Sequence, residues 1–353
     1  MILAKTEILK VSKNAGTAED IEKLKFASDV IKRGGLCVFP TETVYGLGAD
    51  ALNEKAVKSI YEAKGRPQNN PLIIHLSDKK EIEKYCLTEG ACGLEKLTSL
   101  MPAPLTVILK AKDIVPKATT GGLDTVAFRI PANAVARKLI ELSGTPVAAP
   151  SANISGKPSP TNAKDVIEDM DSKVDVIIDG GECEIGIEST IITLCENPPV
   201  LLRPGKISFE TLTELLGEVH MSHAVLDSLK PGEKILSPGM AYKHYAPDKP
   251  VILLKGGTEK KINYVNEKNK SEKIAVICYE SDREKINCKD TLCAGDGNNN
   301  EAYAAKLFSL LRSTDKLDAD KVYAFLPKDT SGISLAIYNR LMRAAAFNVI
   351  NLD

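Results

Sequence analysis

Residues 231–250, PGEKILSPGMAYKHYAPDKP, hold four prolines and two glycines. Proline fixes φ and removes a backbone donor, and glycine adds a second kind of punctuation, so no regular helix or strand runs through such a stretch. The break divides the chain. The segments on either side of it must each bury a core of their own, and 353 residues are enough for two. The expected division is 1–217, a linker over 218–250, and 251–353. The GMAYKHYAP portion of that linker nevertheless packs two tyrosines, a lysine and a histidine into nine residues. That is more chemistry than a spacer needs, and long connections inside compact proteins are often functional.

Both sides of the break read as α/β. Before it, apolar runs at 36–39, 72–76, 105–110, 125–130, 146–149, 175–178 and 189–194 predict strands. Helical patterns at 20–33, 54–64, 79–86, 90–100, 133–142, 162–170 and 208–216 separate them. Thr17 can cap the first helix, and Ile21, Leu24, Ala27 and Ile31 share its inner face. After the break, strands are expected at 251–254, 274–279 and 322–326 and helices at 300–313 and 333–346, forming a smaller layer of parallel strands. This part has no glycine fingerprint for a dinucleotide, so a structural or lid-positioning role is expected for it.

Several function classes drop out. Lysine and arginine (46) nearly cancel aspartate and glutamate (47), so no global field draws the chain to nucleic acid or membrane. No apolar run reaches membrane-spanning length and the first residues lack a signal-peptide layout, which makes the cytoplasm the expected compartment. Eight cysteines, mostly inside apolar runs and without a CxxC pair, read as reduced thiols packed as small hydrophobes and not as a zinc site or disulfide frame, and no metal ligands are expected. There is no G-x-x-x-x-G-K-[ST], no G-x-S-x-G and no H-E-x-x-H.

What remains is a set of polar segments at the edges of apolar runs. PTETVYGLG (40–48) offers Thr41, Thr43 and bare glycine backbone; AKGRPQNNPLIIH (63–75) offers Lys64, Arg66, Asn70 and His75 around two prolines. Two cations two residues apart can face one polyanion. TVAFRIP (125–131) alternates, with Thr125, Ala127 and Arg129 on one face, and an arginine on a half-buried strand must find an anion. AAPSANISGKPSPT (148–161) presents Ser151 and Ser159, GIESTIIT (186–193) presents Ser189, and LLRPG (201–205) ends a strand on Arg203. Open α/β sheets bind ligands at strand ends. Four cations with many hydroxyls and little acid–base machinery suit a nucleoside triphosphate held for displacement at phosphorus.

Those segments, in that order, resemble the YrdC-like family. SPGMAYKHYAP and the terminal GISLAIYNRLMRAAA are similar to its long two-domain form, the threonylcarbamoyl-AMP synthases. The resemblance implies an α/β fold: an open twisted YrdC-like sheet with a large concave cavity, plus a smaller Rossmann-like α/β domain at the C-terminus. It implies that L-threonine, bicarbonate or CO2, and ATP give threonylcarbamoyl-adenylate and pyrophosphate. The product would pass to the tRNA threonylcarbamoyl transferase machinery, for N6-threonylcarbamoyladenosine at tRNA position 37, with weak tRNA contact an option. Carried over by motif, Thr43, His75, Arg129, Ala149 and Ser189 would hold threonine. Arg66, Asn70, Thr125, Ser151, Ser159, Arg203 and Tyr242 would hold ATP, with Tyr242 closing over it and His244 nearby. Lys64 and Arg66 would be the catalytic cations, and Mg2+ would ride on the phosphates. Relatives often carry Trp-Pro-Gly-Pro where this chain has Met101-Pro102-Ala103-Pro104, so local repacking is expected there. The alternative is a double-stranded RNA or tRNA-binding module without catalysis, which the balanced charge argues against.

Overall fold

A computed structural model describes residues 5–227, 233, 235–239, 244–296 and 299–353. Among them, twelve strands make one mixed sheet and five make a second, all-parallel one. The α/β expectation holds for both parts.

Strand direction in the large sheet brings the polar segments to one edge. Ile73–His75 and Thr125–Arg129 run parallel and finish side by side, His75 opposite Arg129. Leu105–Ala111 runs antiparallel to the latter, so its beginning, Thr106, lies opposite Arg129. Thr190–Thr193 is parallel to that strand and therefore also begins here, just after Ser189. Val200–Arg203 is antiparallel again and ends here, with Arg203 opposite Ile191. A further antiparallel pair, Gly46–Asp50 with Val147–Ala148, delivers the Thr41–Tyr45 turn and the Ala149–Ser151 exit to the same edge, bridged at Gly46 and Ser151. Apolar layers cover both faces. The helix Glu54–Lys64 packs Ala56, Val57 and Ile60 on one, and the helices Ala18–Lys32 and Ala134–Ser143 pack Leu24, Ile31, Val135 and Leu139 on the other. Met101 and Ala103 are buried in the first of these layers, where the tryptophan-containing motif was expected to be repacked.

Several elements differ from the sequence reading: the expected linker opens with a short strand, His220–Met221, paired to Val200–Arg203, and the second part adds the strands Thr291–Cys293 and Val349–Asn351. Gly46–Asp50 is a strand, not a continuation of the polar loop. Its glycines serve packing: a Cβ on Gly48 would lie 2.6 Å from Phe39 Cε1 and 2.7 Å from Val147 Cγ1. Such a glycine strand has no β-branched signature to find. Glu7–Lys10 is an edge strand beside Val176–Asp179. Thr258–Lys268 is a helix that buries only Lys261, Ile262 and Val265, too few apolar positions to show a stripe.

The small sheet runs in the order Thr291–Cys293, Ile274–Cys278, Lys321–Phe325, Val251–Lys255, Val349–Asn351. The helix Thr258–Lys268 covers one face, and Asn300–Thr314 with Ile333–Ala344 cover the other, a Rossmann-like arrangement. The second pair of helices also meets the large sheet's domain, through buried charge. Arg312 donates to Pro158 O at 2.7 Å and Asp169 Oδ2 at 2.6 Å; Arg340 donates to Pro204 O at 2.8 Å and Glu188 Oε2 at 3.0 Å. At Gly186 the backbones touch, since a Cβ there would sit 2.4 Å from Ala305 Cα.

Candidate active site

Side chains at the shared strand edge line one small cavity, of about 40 Å³. The turn after strand Cys37–Phe39 builds its floor. Thr41 Oγ1 accepts from the Thr43 and Val44 amides at 3.1 and 3.2 Å and donates to Val44 O at 2.6 Å. This local bonding, a frequent use of threonine in turns, fixes Thr43 for the next contact. Thr43 Oγ1 accepts from Arg129 Nη1 at 2.9 Å.

Arg129 lines the cavity and is only 4% exposed. Its Nη2 lies 2.7 Å from Glu42 Oε1, a charge pair whose angle is too poor for a directional hydrogen bond. Nε and Nη2 therefore remain unspent donors, and both Glu42 oxygens lack a donor. Buried donors of a guanidinium are rarely left so, and this pair matches a ligand carboxylate. Beside it, His75 is pulled down to about 3 by burial and by the Arg129 charge, so its ring is neutral.

Two more guanidiniums line the same cavity. Arg66 reaches Pro71 O at 3.2 Å, and Arg203 reaches Ser189 O at 3.0 Å and Ser189 Oγ at 3.2 Å. Burial lowers both to about 10, which leaves them charged at neutral pH. Arg203 Nη1 also donates to Pro238 O in the linker at 3.2 Å, and Pro238, Gly239, His244 and Tyr245 complete the cavity wall. Glu188 lines it as well. Ser159 donates to Glu188 Oε1 at 2.8 Å and Arg340 to Oε2 at 3.0 Å. Burial would raise this carboxyl, but Arg340 and then Arg203 hold it at about 2, ionised.

Of the residues expected from the sequence, Arg66, His75, Arg129, Ala149, Ser151, Ser189 and Arg203 line this one cavity. Thr43 is fully buried behind Arg129, and Ser159 sits behind Glu188. Lys64 is elsewhere: its ammonium donates to the Ser151 and Asn153 carbonyls, fastening the loop that carries Ser151. Burial and the Arg66 charge hold it well below the usual lysine range. Asn70 is buried next to Arg66, which reaches its carbonyl at 3.4 Å, but its side chain is outside the lining. Thr125 opens the strand that Arg129 ends, about 13 Å away at ordinary strand rise, opposite Lys110. Tyr242 lies outside the described residues. Glu42, Glu188, Tyr45 and Tyr245 were missed; each stood in a quoted segment without a partner visible in sequence.

His244 is also held at about 3, burial being the largest cause, followed by Glu188, which opposes it, and the neighbouring cations. An unfolded histidine titrates near 6.5. The unfolded chain thus takes up protons that the folded one refuses, so stability is full above about 6.5 and falls as pH drops toward 3. Chemical unfolding at pH 7, 6 and 5 should show this decline, and His244→Asn should flatten it. An equal slope in that variant would assign the effect elsewhere.

Comparison with known proteins gives a consistent neighbourhood. A Sua5/YciO/YrdC family model, described as "Telomere recombination", matches residues 29–205. A second, "Threonylcarbamoyl-AMP synthase, C-terminal domain", matches 207–346. The chain is similar to threonylcarbamoyl-AMP synthase of Pyrococcus abyssi, 45% identical over 340 residues, with 94% of this chain and 96% of the relative covered. It is similar to that of Bacillus subtilis, 42% identical, with 92% and 93% covered. Among solved structures it is similar to P. abyssi Sua5 complexed with L-threonine, with a TM-score of 0.90 at 42% identity, covering 99% of this chain and 100% of that one.

Proposed function

The chain belongs to the threonylcarbamoyl-AMP synthases in their long two-domain form, and from that premise we propose how its cavity performs the reaction. The enzyme makes threonylcarbamoyl-adenylate, with L-threonine and ATP among its substrates. The observation that carries the site assignment is Arg129, a buried guanidinium with two donors lacking a hydrogen bond, lining the same cavity as Arg66 and Arg203.

In this reading the threonine carboxylate docks on Arg129 Nε and Nη2. Thr43 and Glu42 hold that guanidinium in place, while neutral His75, Ala149 and Ser189 shape the rest of the amino-acid pocket. Bicarbonate or CO2 is the third substrate, and it carboxylates the threonine amine. A carbamate oxygen then attacks the α-phosphorus and pyrophosphate leaves. Arg66 and Arg203 neutralise the charge that builds on the phosphates, which is where catalysis of phosphoryl and nucleotidyl transfer chiefly lies. Ser151 adds a hydroxyl to the same wall. Lys64 acts at one remove, by positioning the Ser151–Asn153 loop. Ser159 acts through Glu188, and Asn70 and Thr125 border the site from outside its lining.

Mg2+ would arrive on the triphosphate and supply charge neutralisation there. It takes oxygen ligands, and both carboxylates near the cavity are already paired with arginines, Glu42 with Arg129 and Glu188 with Arg340. No group of three or more metal-ligating side chains occurs among the described residues. The linker acts as a lid: Pro238, Gly239, His244 and Tyr245 already wall the cavity, and Tyr242 is assigned to the nucleotide. Excluding water matters because the product is hydrolysable. The product passes to the transferase machinery that modifies tRNA, with any direct tRNA contact weak. No helix among the described residues is long and apolar enough to cross a membrane.

Pyrophosphate release tests the reading. With ATP, threonine and bicarbonate all present, release should proceed, and omitting threonine or bicarbonate in turn should abolish it. Release indifferent to threonine would remove the assignment, and tight, salt-dependent tRNA binding without turnover would favour an RNA-binding module.

A further inference from the structure

The small domain contains a crevice that the synthase reaction does not use. From strand Val251–Lys255 the chain leaves through helix Thr258–Lys268 to Ile274–Cys278, crossing its neighbour Lys321–Phe325. From Lys321–Phe325 it leaves through helix Ile333–Ala344 in the opposite direction, to Val349–Asn351. These two adjacent parallel strands therefore send their exits apart. Beyond the carboxyl ends of such a pair, open α/β sheets form their ligand crevice. A cavity of about 410 Å³ lies at that point, lined by Lys255 at the end of the first strand, Gly256 and Lys261 after it, and Lys328 after the second.

The helix Thr258–Lys268 begins at this cavity with Gly257 as its cap residue and no side chain capping its amides. Free amides and the helix dipole favour an anion, although many surface helices share that property. Lys261 is the independent observation. It is only 3% exposed and lines the cavity. Its ammonium lies 4.9 Å from the centre of the Phe325 ring and has no hydrogen bond or salt bridge within the described residues. The stem is buried while the ammonium nitrogen keeps contact with the cavity, where an oxygen partner would offset its partial loss of hydration. Burial is accordingly the main cause that lowers its pKa, with Lys328 adding to it and Asp282 and Asp353 opposing it. Three lysines line the cavity against one acidic residue, Asp353, with Asp282 also acting on Lys261.

We propose that this crevice is a second anion site, taking a small phosphate-bearing ligand, with Lys261 as its buried counter-charge and the Gly257–Thr258 amides as donors. Ammonium groups arriving from two strand ends and a helix suit the several oxygens of a phosphate better than a single planar carboxylate. The missing G-x-G-x-x-G excludes a dinucleotide and leaves a mononucleotide or a simpler phosphate ester.

Titrating the full-length, nitrogen-15-labelled protein with inorganic phosphate at fixed ionic strength tests this, because the amide signals of Gly256, Gly257 and Thr258 report locally and separately from the triphosphate cavity. Saturable shifts are expected there. Lys261→Gln should weaken them about tenfold, the loss of one charge-assisted hydrogen bond, while synthase turnover is unchanged. Lys328→Ala, at an exposed position, should weaken them severalfold and decides the matter if the first variant does not fold. AMP as a second probe distinguishes a nucleotide, which binds tighter with the same Lys261 dependence, from free phosphate, which binds equally. Silent amides, or shifts that persist unchanged in the variants, would overturn the proposal.

Discussion

Arg129→Ala should raise the threonine KM by at least about a hundredfold, while leaving ATP affinity within a few-fold of the parent. The first effect comes from removing a buried cation that would make two charge-assisted hydrogen bonds to the substrate carboxylate, at about 1.5–3 kcal/mol each. The second comes from geometry, since Arg66 and Arg203 are anchored on Pro71, Ser189 and Pro238 and none of those contacts runs through Arg129. Truncation also strands Glu42, which is 6% exposed and has Arg129 as its charge partner. Breaking such a buried pair commonly costs about 3–5 kcal/mol of stability. Glu42→Gln added to Arg129→Ala should therefore recover stability without recovering threonine use. That split separates a binding role from a structural one. A folded Arg129→Ala enzyme with an unchanged threonine KM would mean the amino acid is held elsewhere.

Arg340→Ala should both loosen the small domain and weaken ATP. Arg340 is wholly buried on helix Ile333–Ala344, yet its guanidinium ends on Glu188 in the cavity of the other domain. Removing it costs about 3–5 kcal/mol by the same rule. It also leaves the Glu188 carboxylate with one fewer cation, near the arginines assigned to the phosphates, so the ATP KM should rise by about tenfold or more. The diagnostic is rescue: Glu188→Gln in the Arg340→Ala background should bring the ATP KM back toward the parent value, because the repelling charge is gone. No rescue, with a fold that is intact by circular dichroism, would show that Arg340 acts through packing alone.

Much of this was visible in the sequence, and the gaps have physical causes. Alternating apolar runs gave the α/β layers, and polar residues at their ends gave the cavity wall, because a period-2 strand with an arginine on one face has few ways to bury it. The need of Arg129 for an anion was legible, but its identity was not. Glu42 and Arg129 meet only through the pairing of strands that adjoin the turn. Glu188 and Arg340 are 152 positions apart, and nothing local in either segment announces the other. Lys64 and Arg66 read as a pair facing one polyanion, yet Gly65 stands between them with φ 61, in the left-handed region, and ends the helix. That turn sends the lysine back to the Ser151–Asn153 carbonyls and the arginine on to the cavity. Thr125 shares a strand face with Arg129, as alternation predicts, but a shared face does not mean a shared end. The Gly46–Asp50 strand hid because glycines signal loops unless the Phe39 ring that fills their place is known.

One cavity is assigned to both threonine and the nucleotide phosphates. Paramagnetic relaxation measures this directly, using a non-hydrolysable α,β-methylene analogue of ATP loaded with manganese and no bicarbonate. In the parent enzyme the threonine methyl protons should relax strongly when the loaded analogue is added, and the effect should vanish in Arg129→Ala. Threonine that binds the parent but relaxes no faster with the loaded analogue than without it would place the two ligands in separate sites and contradict the account.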